Sequence, residues 1–319
     1  MDKKLNHILF SIIMPTYNRA NMIGIAIESL LKQTYNHWEL IIVDDGSVDD
    51  TRKVVGIYSA RDNRIKYVFQ MNQGESAARN VGLLEAKGDF ISFLDDDDYY
   101  LENFLAVFEK NIKEGKTGLA VFMCDQAEES DHVIKMKQID KKKFVKNSLS
   151  YLIRFGNNLQ PFVFPANIFK EEFFDTRFVY GEDVHLLYRI LLRLPLFYVQ
   201  ETLCVYKNHQ NMTFNREFKD GLFLKTSFTR LDMFDDLFLK YKKAFFERAA
   251  LSNLCFKFNR YCYFYASAAL KKQKTADSLA ILKRMKWDQP NFEMLYYYIS
   301  IISRFLYYAL KKKILVISK

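Results

Sequence analysis

Acidic residues in two places carry most of the chemistry that this chain could perform. Four consecutive carboxylates, Asp95–Asp98, directly follow the apolar run FISFL, and a second pair, Asp44 and Asp45, follows ELIIV. Neighbouring carboxylates repel one another, so they are tolerated where water or a cation surrounds them. Mg²⁺ takes one or two carboxylates and completes its shell with water and substrate phosphates. The run therefore predicts either a metal-held diphosphate or a solvated acidic loop.

The elements before these aspartates predict an α/β fold. Apolar runs predict buried strands, and helical spacing of apolar residues predicts helices between them. The strands are Phe10–Met14, Glu39–Val43, Ile65–Phe69 and Phe90–Leu94, and the helices are Asn21–Gln33 and Ser76–Ala86. This alternation indicates βαβ units in a mostly parallel sheet. Because ligands bind beyond the carboxyl ends of such strands, both aspartate groups should face one crevice, which suggests a nucleotide site.

Composition limits the other interpretations. The chain has 319 residues, of which 50% are hydrophobic, so a sizeable core is expected. The net charge of +9 favours polyanionic partners. Four cysteines, Cys124, Cys204, Cys255 and Cys262, lack CxxC spacing and are expected to be reduced. No apolar run reaches the about 20 residues of a membrane-spanning helix.

Four blocks of sequence resemble glycosyltransferase family 2, an inverting family with the GT-A fold. They occur in the family's order over roughly the first two-thirds of the chain. The blocks are SIIMPTYNRA, LLKQTYNHWELIIVDDGSVDDT, NQGESAARNVGLLEAKGDFISFLDDDD and FVYGEDVHLLYR. The resemblance implies transfer of a hexosyl or N-acetylhexosaminyl group from a nucleoside-diphosphate sugar, most often UDP-linked, to a glycan hydroxyl. It also implies a GT-A catalytic domain over residues 1–215.

The resemblance assigns the donor side to residues from three blocks. Pro15 and Tyr17 would line the base and ribose, and Asp45 would accept a hydrogen bond from the base. Asp44 would either face the ribose or cap the following helix. Arg79 would contact the diphosphate, with pairing to Glu75 or Glu85 at the surface as the alternative.

The family's metal motif aligns best with Asp95 and Asp97, and Asp97 is the expected direct ligand of Mn²⁺ or Mg²⁺. Asp96 and Asp98 would then support the metal or contact the donor, although four identical neighbours leave the register open. His209 stands where many family members carry a histidine near the metal, and a surface loop histidine is the alternative. His132 and His185 have no such support.

Inverting transfer needs a base opposite the leaving group, which takes the acceptor proton. GED, with Glu182 and Asp183, occupies the family's position for that group at the start of a predicted helix. By resemblance Asp183 is the base and Glu182 orients the acceptor. The alternative is an acidic helix N-terminus, which the helix dipole favours in any case.

Residues 216–319 predict a helical region. Its last predicted helix, Phe292 to about Lys313, is rich in tyrosine and ends on three lysines, which suits an anionic membrane interface. Packing of the helices on the catalytic domain or on another subunit of a homo-oligomer is the alternative. We expect a cytoplasmic enzyme of bacterial surface-polysaccharide synthesis that acts on a glycan or lipid-linked glycan at the inner face of the plasma membrane.

Two other classes compete with this interpretation. A non-catalytic subunit that binds nucleotide sugar or acts as a scaffold would not need competent metal and base residues. A basic nucleic-acid-binding protein would need a positive groove with stacking aromatics, whereas acidic residues occupy these strand ends. The sequence therefore favours an enzyme without a nucleic-acid partner.

Overall fold

A mixed sheet of nine strands organises the first part of the chain in the computed structural model. The structure describes residues 7–115, 119–130, 133–137, 139–155, 158–208, 223–271 and 275–286. The strands are β1 Phe10–Thr16, β2 Trp38–Asp45, β3 Ile65–Gln70, β4 Phe90–Phe93, β5 Tyr99–Tyr100, β6 Val121–Ser130, β7 Val133–Lys137, β8 Phe162–Pro165 and β9 Leu196–Lys207. Their order is β3-β2-β1-β4-β8-β6-β9-β5, and β7 pairs with β6.

Helices connect the strands and follow them. They are α1 Ile23–Leu31, α2 Thr51–Ser59, α3 Glu75–Glu85, α4 Phe104–Gly115, α5 Lys141–Lys146, α6 Ser148–Phe155, α7 Glu182–Arg193, α8 Phe223–Glu247, α9 Leu251–Lys271 and α10 Thr275–Leu282, with a 3₁₀ helix at Ala166–Lys170. None of the helices in the described ranges combines the length and the apolar character needed to cross a lipid bilayer.

The predicted βαβ organisation is confirmed in the half of the sheet that begins the chain. β1, β2, β3 and β4 pair in parallel. Beyond β4 the sheet departs from the predicted mostly parallel arrangement, because β8 runs antiparallel to both β4 and β6, and β5 runs antiparallel to β9. Among the described residues beyond β4, only β6 and β9 pair in parallel, with an irregular register at Asp125.

Apolar side chains pack on both faces of the sheet, as expected for buried parallel strands. Phe10, Ile12 and Met14 of β1 belong to the larger core. On the other face, Ile41 and Val43 of β2 pack against Ala78 of α3. The aspartates therefore follow strands that are packed on both faces of the sheet.

The chain divides into two compact units. We call Met1–Lys141 with Asn158–Met212 the sheet unit, and Lys142–Asn157 with Thr213–Lys319 the helical unit. The grouping of residues 142–157 with the later helices has no signal in the sequence pattern. The predicted boundary at residue 215 stays a prediction, and the tyrosine-rich last helix lies outside the described residues.

Candidate functional site

The two aspartates at the end of β2 shape the loops around them. Asp44 is fully buried and caps its own loop, since it accepts the Ser47 N–H at 2.8 Å and the Tyr67 hydroxyl at 2.7 Å. Asp44 does not cap the following helix, because α2 begins at Thr51, and Ser47 Oγ accepts the Asn18 N–H at 2.8 Å.

Asp45 holds the loop between β3 and α3. Its carboxylate accepts the Gln70 side-chain amide at 2.6 Å and the backbone N–H groups of Gln73 and Gly74, each at 2.8 Å. Gly74 has φ +92°, a left-handed conformation that suits glycine. Asp45 thus places the start of α3, which carries Arg79.

The end of β1 presents an aromatic side chain at the crevice. Pro15 is buried within β1, and Tyr17 is 47% exposed. Asn18, which has φ +54°, joins the loop after β2 because its Oδ1 accepts the Val48 N–H at 2.8 Å. The loops after β1 and β2 are therefore tied together beside Tyr17.

The four aspartates after β4 alternate in burial. Asp96 and Asp98 are buried, whereas the side chains of Asp95 and Asp97 are 36% and 18% exposed. Asp96 accepts the Thr16 hydroxyl at 2.6 Å, and Asp98 accepts the Lys207 N–H at 2.8 Å. Two of the carboxylates therefore anchor the loop to β1 and β9, and the other two are only partly buried.

The same loop carries a surplus of negative charge. Burial, followed by the charge of Asp97, raises the pKa of Asp96 to about 8. Burial and the charges of Asp95 and Asp97 hold the pKa of Asp98 well above its usual range. Arg19 offsets part of this charge, since its guanidinium lies 3.4 Å from Asp96 and 3.6 Å from Asp97.

Arg79 joins the aspartate loop to the helix that carries GED. Its side chain is 5% exposed, and its NH2 donates to Asp95 at 2.9 Å and to Glu75, while NH1 donates to Glu182 at 3.0 Å. Burial disfavours the guanidinium charge, but the carboxylates, Glu75 foremost, raise the pKa of Arg79. Arg79 pairs with Glu75, as one alternative had it, but in a buried position rather than at the surface.

The predicted helix at GED is confirmed, with α7 beginning at Glu182 after Gly181 in the left-handed conformation at φ +85°. Burial, followed by the charge of Asp183, raises the pKa of Glu182 to about 8. Asp183 lies in the first turn, where its Oδ1 accepts the Val184 N–H at 2.7 Å. His185, two residues further on, is buried against the Phe178 ring.

The aspartate loop fits a divalent cation by the chemistry of its donors. Carboxylate oxygens are the ligands that Mg²⁺ and Mn²⁺ take, and the buried Asp98 Oδ2 has no hydrogen-bond partner among the described residues. Within those residues, no three His, Cys, Asp or Glu side chains group as a metal cage. Mg²⁺ needs only one or two carboxylates when phosphates complete its shell. His209 and His132 lie outside the described residues.

Several residues that shape the site were missed in the sequence. Thr16 and Arg19 both fall in the block SIIMPTYNRA, yet neither is predicted to contact the aspartate loop. Glu75 appears only as a surface partner of Arg79, and Lys207 is not predicted at all. The contacts of Thr16 and Lys207 with the aspartate loop join residues 80 and 109 positions apart, so no local spacing predicts them. Glu75 and Arg79 are four positions apart on one helix, and what the sequence does not show is that the pair leads into the site.

The chain is similar to known proteins in sequence. The family model described as Glycosyl transferase family 2 matches residues 11–178, more than half of the 319 residues. The GalNAc(5)-diNAcBac-PP-undecaprenol beta-1,3-glucosyltransferase of Campylobacter jejuni is 31% identical over 202 residues, 62% of this chain and 64% of that protein. Against three curated relatives at 42% to 46% identity, the chain spans 17% to 38% of their own length.

Solved structures share the fold. S. aureus TarS 1-349 in complex with UDP-GlcNAc has a TM-score of 0.58 and 17% identity, over 86% of this chain and 90% of that chain. The mannosyltransferase PcManGT from Pyrobaculum calidifontis, in complex with GDP-Man and Mn²⁺, has a TM-score of 0.59 and 15% identity, over 95% of this chain and 86% of that chain. The predicted GT-A fold, followed by a helical region, is confirmed.

Proposed function

Since the chain belongs to glycosyltransferase family 2, we propose that it moves a sugar from a nucleoside-diphosphate donor to a hydroxyl of a glycan or lipid-linked glycan, with metal dependence and inversion. A UDP-linked donor is the first choice. The observation that carries the proposal is the contact of one buried guanidinium, Arg79, with both the aspartate loop at Asp95 and the GED helix at Glu182. Groups suited to a leaving diphosphate and groups suited to proton removal are thus held together.

The donor would lie over the ends of β1 and β2. The exposed Tyr17 ring, beside the buried Pro15, offers a stacking face for the base. A carboxylate has about four lone-pair sites, and Asp45 uses three of them within its loop, so one remains for a base N–H. Asp44 would contribute by fixing this loop rather than by touching the ribose, since its side chain is fully buried and accepts hydrogen bonds from Ser47 and Tyr67.

Asp95 and Asp97 would hold the metal, because they are the more exposed members of the aspartate run. Asp96 would support the donor through Thr16, and Asp98 would fix the loop to β9. A divalent cation supplies Lewis-acid stabilisation of the leaving diphosphate. The side of the loop near Arg19 and Arg79 adds positive charge for the phosphates.

Asp183 would take the proton of the acceptor hydroxyl. It stands in the first turn of α7, next to Glu182, which Arg79 fixes in position. Because Glu182 has a raised pKa, it holds a proton at neutral pH more readily than an ordinary carboxyl group. A protonated Glu182 can donate a hydrogen bond to the acceptor, which suits an orienting role.

The acceptor class rests on relatives. The Campylobacter jejuni enzyme is named for an undecaprenol-linked glycan, and 62% of this chain aligns with it. On that basis we propose a role in assembly of a bacterial surface polysaccharide at the cytoplasmic face of the plasma membrane. The hexosyl or N-acetylhexosaminyl group that it moves awaits a donor screen.

Replacement of Asp183 by Asn tests the proposal. We expect Asp183→Asn to lower turnover by about 10²–10⁴-fold, the usual contribution of a positioned base. Donor and Mn²⁺ binding should stay nearly intact, because the amide keeps the shape and loses only the basic oxygen. The release of nucleoside diphosphate measures transfer, and calorimetric titration measures donor and Mn²⁺ binding.

The control experiment separates an enzyme from a binding subunit. The full chain is titrated with UDP, GDP and CDP, with and without Mn²⁺. Binding of one nucleotide only with metal supports the crevice and identifies the donor class. Near-normal transfer by Asp183→Asn would refute the base, and donor that stays intact with every acceptor tried would favour the scaffold alternative.

A further inference from the structure

A basic groove lies in the helical unit, away from the aspartate loop in sequence. It has a volume of about 660 Å³, within the range of ligand sites. All of its described lining residues belong to the helical unit, and none of them is acidic. They are Lys143, Lys146, Asn147, Ser150, Tyr151, Arg154, Ala249 and Asn253.

Two helices begin at this groove, which adds to its positive potential. Asn147 caps α6, since its Oδ1 accepts the Ser150 N–H at 2.9 Å. The lining residues Ala249 and Asn253 flank the first residue of α9, Leu251. Helix N-termini carry partial positive charge and leave N–H groups without intrahelical partners.

The carbonyl groups at the end of α8, beside the groove, already accept hydrogen bonds. α8 ends here, and its last carbonyls would otherwise bring partial negative charge to the groove. The Asn147 side-chain amide donates to the Arg248 carbonyl at 2.9 Å. A backbone bond from Ala250 to Phe245 and another from Ala249 to Phe246 close the helix end. These bonds occupy carbonyl oxygens at the end of α8, which reduces the partial negative charge that faces the groove.

Aromatic packing holds the helices that carry the cationic side chains of the groove. Phe144 is buried and meets the Tyr151 ring edge-on at 5.5 Å, which fixes α5 against α6 between Lys143 and Lys146. Lys146 is exposed and forms no ion pair with any residue in the described ranges. The Arg154 guanidinium lies over the Phe256 ring at 5.0 Å, so it is oriented before a ligand arrives.

We propose that this groove binds a phosphate or diphosphate group. Three cationic side chains, two helix N-termini and the absence of acidic lining among the described residues fit a compact dianion. The group could belong to a soluble phosphate compound or to a lipid headgroup, and the chemistry of recognition is the same. The inference does not depend on the proposed transfer reaction.

Titration of the full chain with inorganic pyrophosphate tests the site. EDTA is present, so that no divalent cation holds pyrophosphate at the aspartate loop. In parallel, the chain is floated with vesicles of phosphatidylglycerol in phosphatidylcholine. We expect K143Q/K146Q to bind pyrophosphate or the vesicles, whichever the wild type binds, at least about tenfold more weakly. Loss of charge-assisted hydrogen bonds has an effect of this size.

K142Q is the matched control, because Lys142 is exposed on the same helix, outside the groove lining. It should change affinity by less than about twofold, since exposed charges away from the ligand are screened. Specific loss of pyrophosphate binding assigns a soluble phosphate, and specific loss of vesicle binding alone assigns a lipid. Absence of binding to both, or equal losses in K142Q and K143Q/K146Q, would overturn the proposal.

Discussion

At the residue scale, the carboxylates of Asp95 and Asp97 are the proposed ligands of the metal that holds the donor. We expect Asp97→Asn to weaken UDP binding in the presence of Mn²⁺ by at least about tenfold, because a neutral amide is a poorer ligand for a hard cation. Without metal, variant and wild type should bind UDP with the same low affinity. Calorimetric titration measures both.

Asp50→Asn is the control for that loss. Asp50 is exposed before α2, and its side chain makes no capping hydrogen bond. Asp50→Asn removes the same charge from the sheet unit as Asp97→Asn does, and its metal-dependent affinity for UDP should match the wild type. An equal loss in both variants would show a general charge effect and contradict the role of Asp97.

Glu182 gives a prediction on pH. Its pKa rises from 4.5 to about 8 on folding, so the folded protein binds the proton more tightly than the unfolded chain. The resulting stabilisation is complete below pH 4.5 and is lost as the pH rises to about 8. We expect the free energy of unfolding to fall over this window, and to fall less in Glu182→Gln, which keeps an oxygen for Arg79. Denaturant titrations at several pH values measure this, and parallel profiles would contradict it.

At the element scale, the contact of α3 with β1 fixes where Arg79 stands. A methyl group on Gly82 of α3 would come within 2.4 Å of the Ile13 side chain. We expect Gly82→Ala to lower the free energy of unfolding by about 1–3 kcal/mol through overpacking. Thermal or denaturant unfolding measures it.

Gly56 offers the opposite case in α2. A methyl group there has no atom within 4 Å, and the backbone conformation is helical. Gly56→Ala should raise the free energy of unfolding by about 0.5–1 kcal/mol, because alanine restricts the unfolded chain and favours helix. If Gly82→Ala also raised the free energy of unfolding, the close approach of α3 to β1 would be contradicted.

At the scale of the whole molecule, the two units can be perturbed separately. Asn259 is fully buried in α9, and its amide exchanges two hydrogen bonds with the backbone of Lys286, at 2.7 and 2.8 Å. Asn259→Ala leaves those backbone groups unpaired, so we expect a loss of about 1–3 kcal/mol in stability. Calorimetric unfolding measures that loss.

Nucleotide binding is the second measurement on this variant. Asn259 belongs to the helical unit, and the aspartate loop belongs to the sheet unit. We expect UDP affinity of the folded variant to match the wild type within about twofold, because the substituted residue and the proposed donor-binding residues belong to different units. A large loss of affinity would show that the crevice depends on the helical unit.

The sequence predicts those parts of the molecule that local pattern controls. Apolar runs and the geometry of parallel strands predict β1 to β4, the helix at GED and the position of Asp45 at the end of β2. The pairing of β6 with β9 does not, because its register depends on tertiary packing and is broken at Asp125. The partners of Arg79 are equally hidden, since Glu182 lies 103 positions away.

Arg79 also constrains how this protein can diverge. Its guanidinium separates three carboxylates, of which Glu75 is 50% exposed, Asp95 is 36% exposed and Glu182 is 10% exposed. Loss of the guanidinium leaves all three facing one another, whereas loss of Glu75 removes one repulsive charge. Substitutions in this cluster are therefore strongly epistatic: Glu75 can vary alone, and Arg79 can change only together with the carboxylates that it pairs.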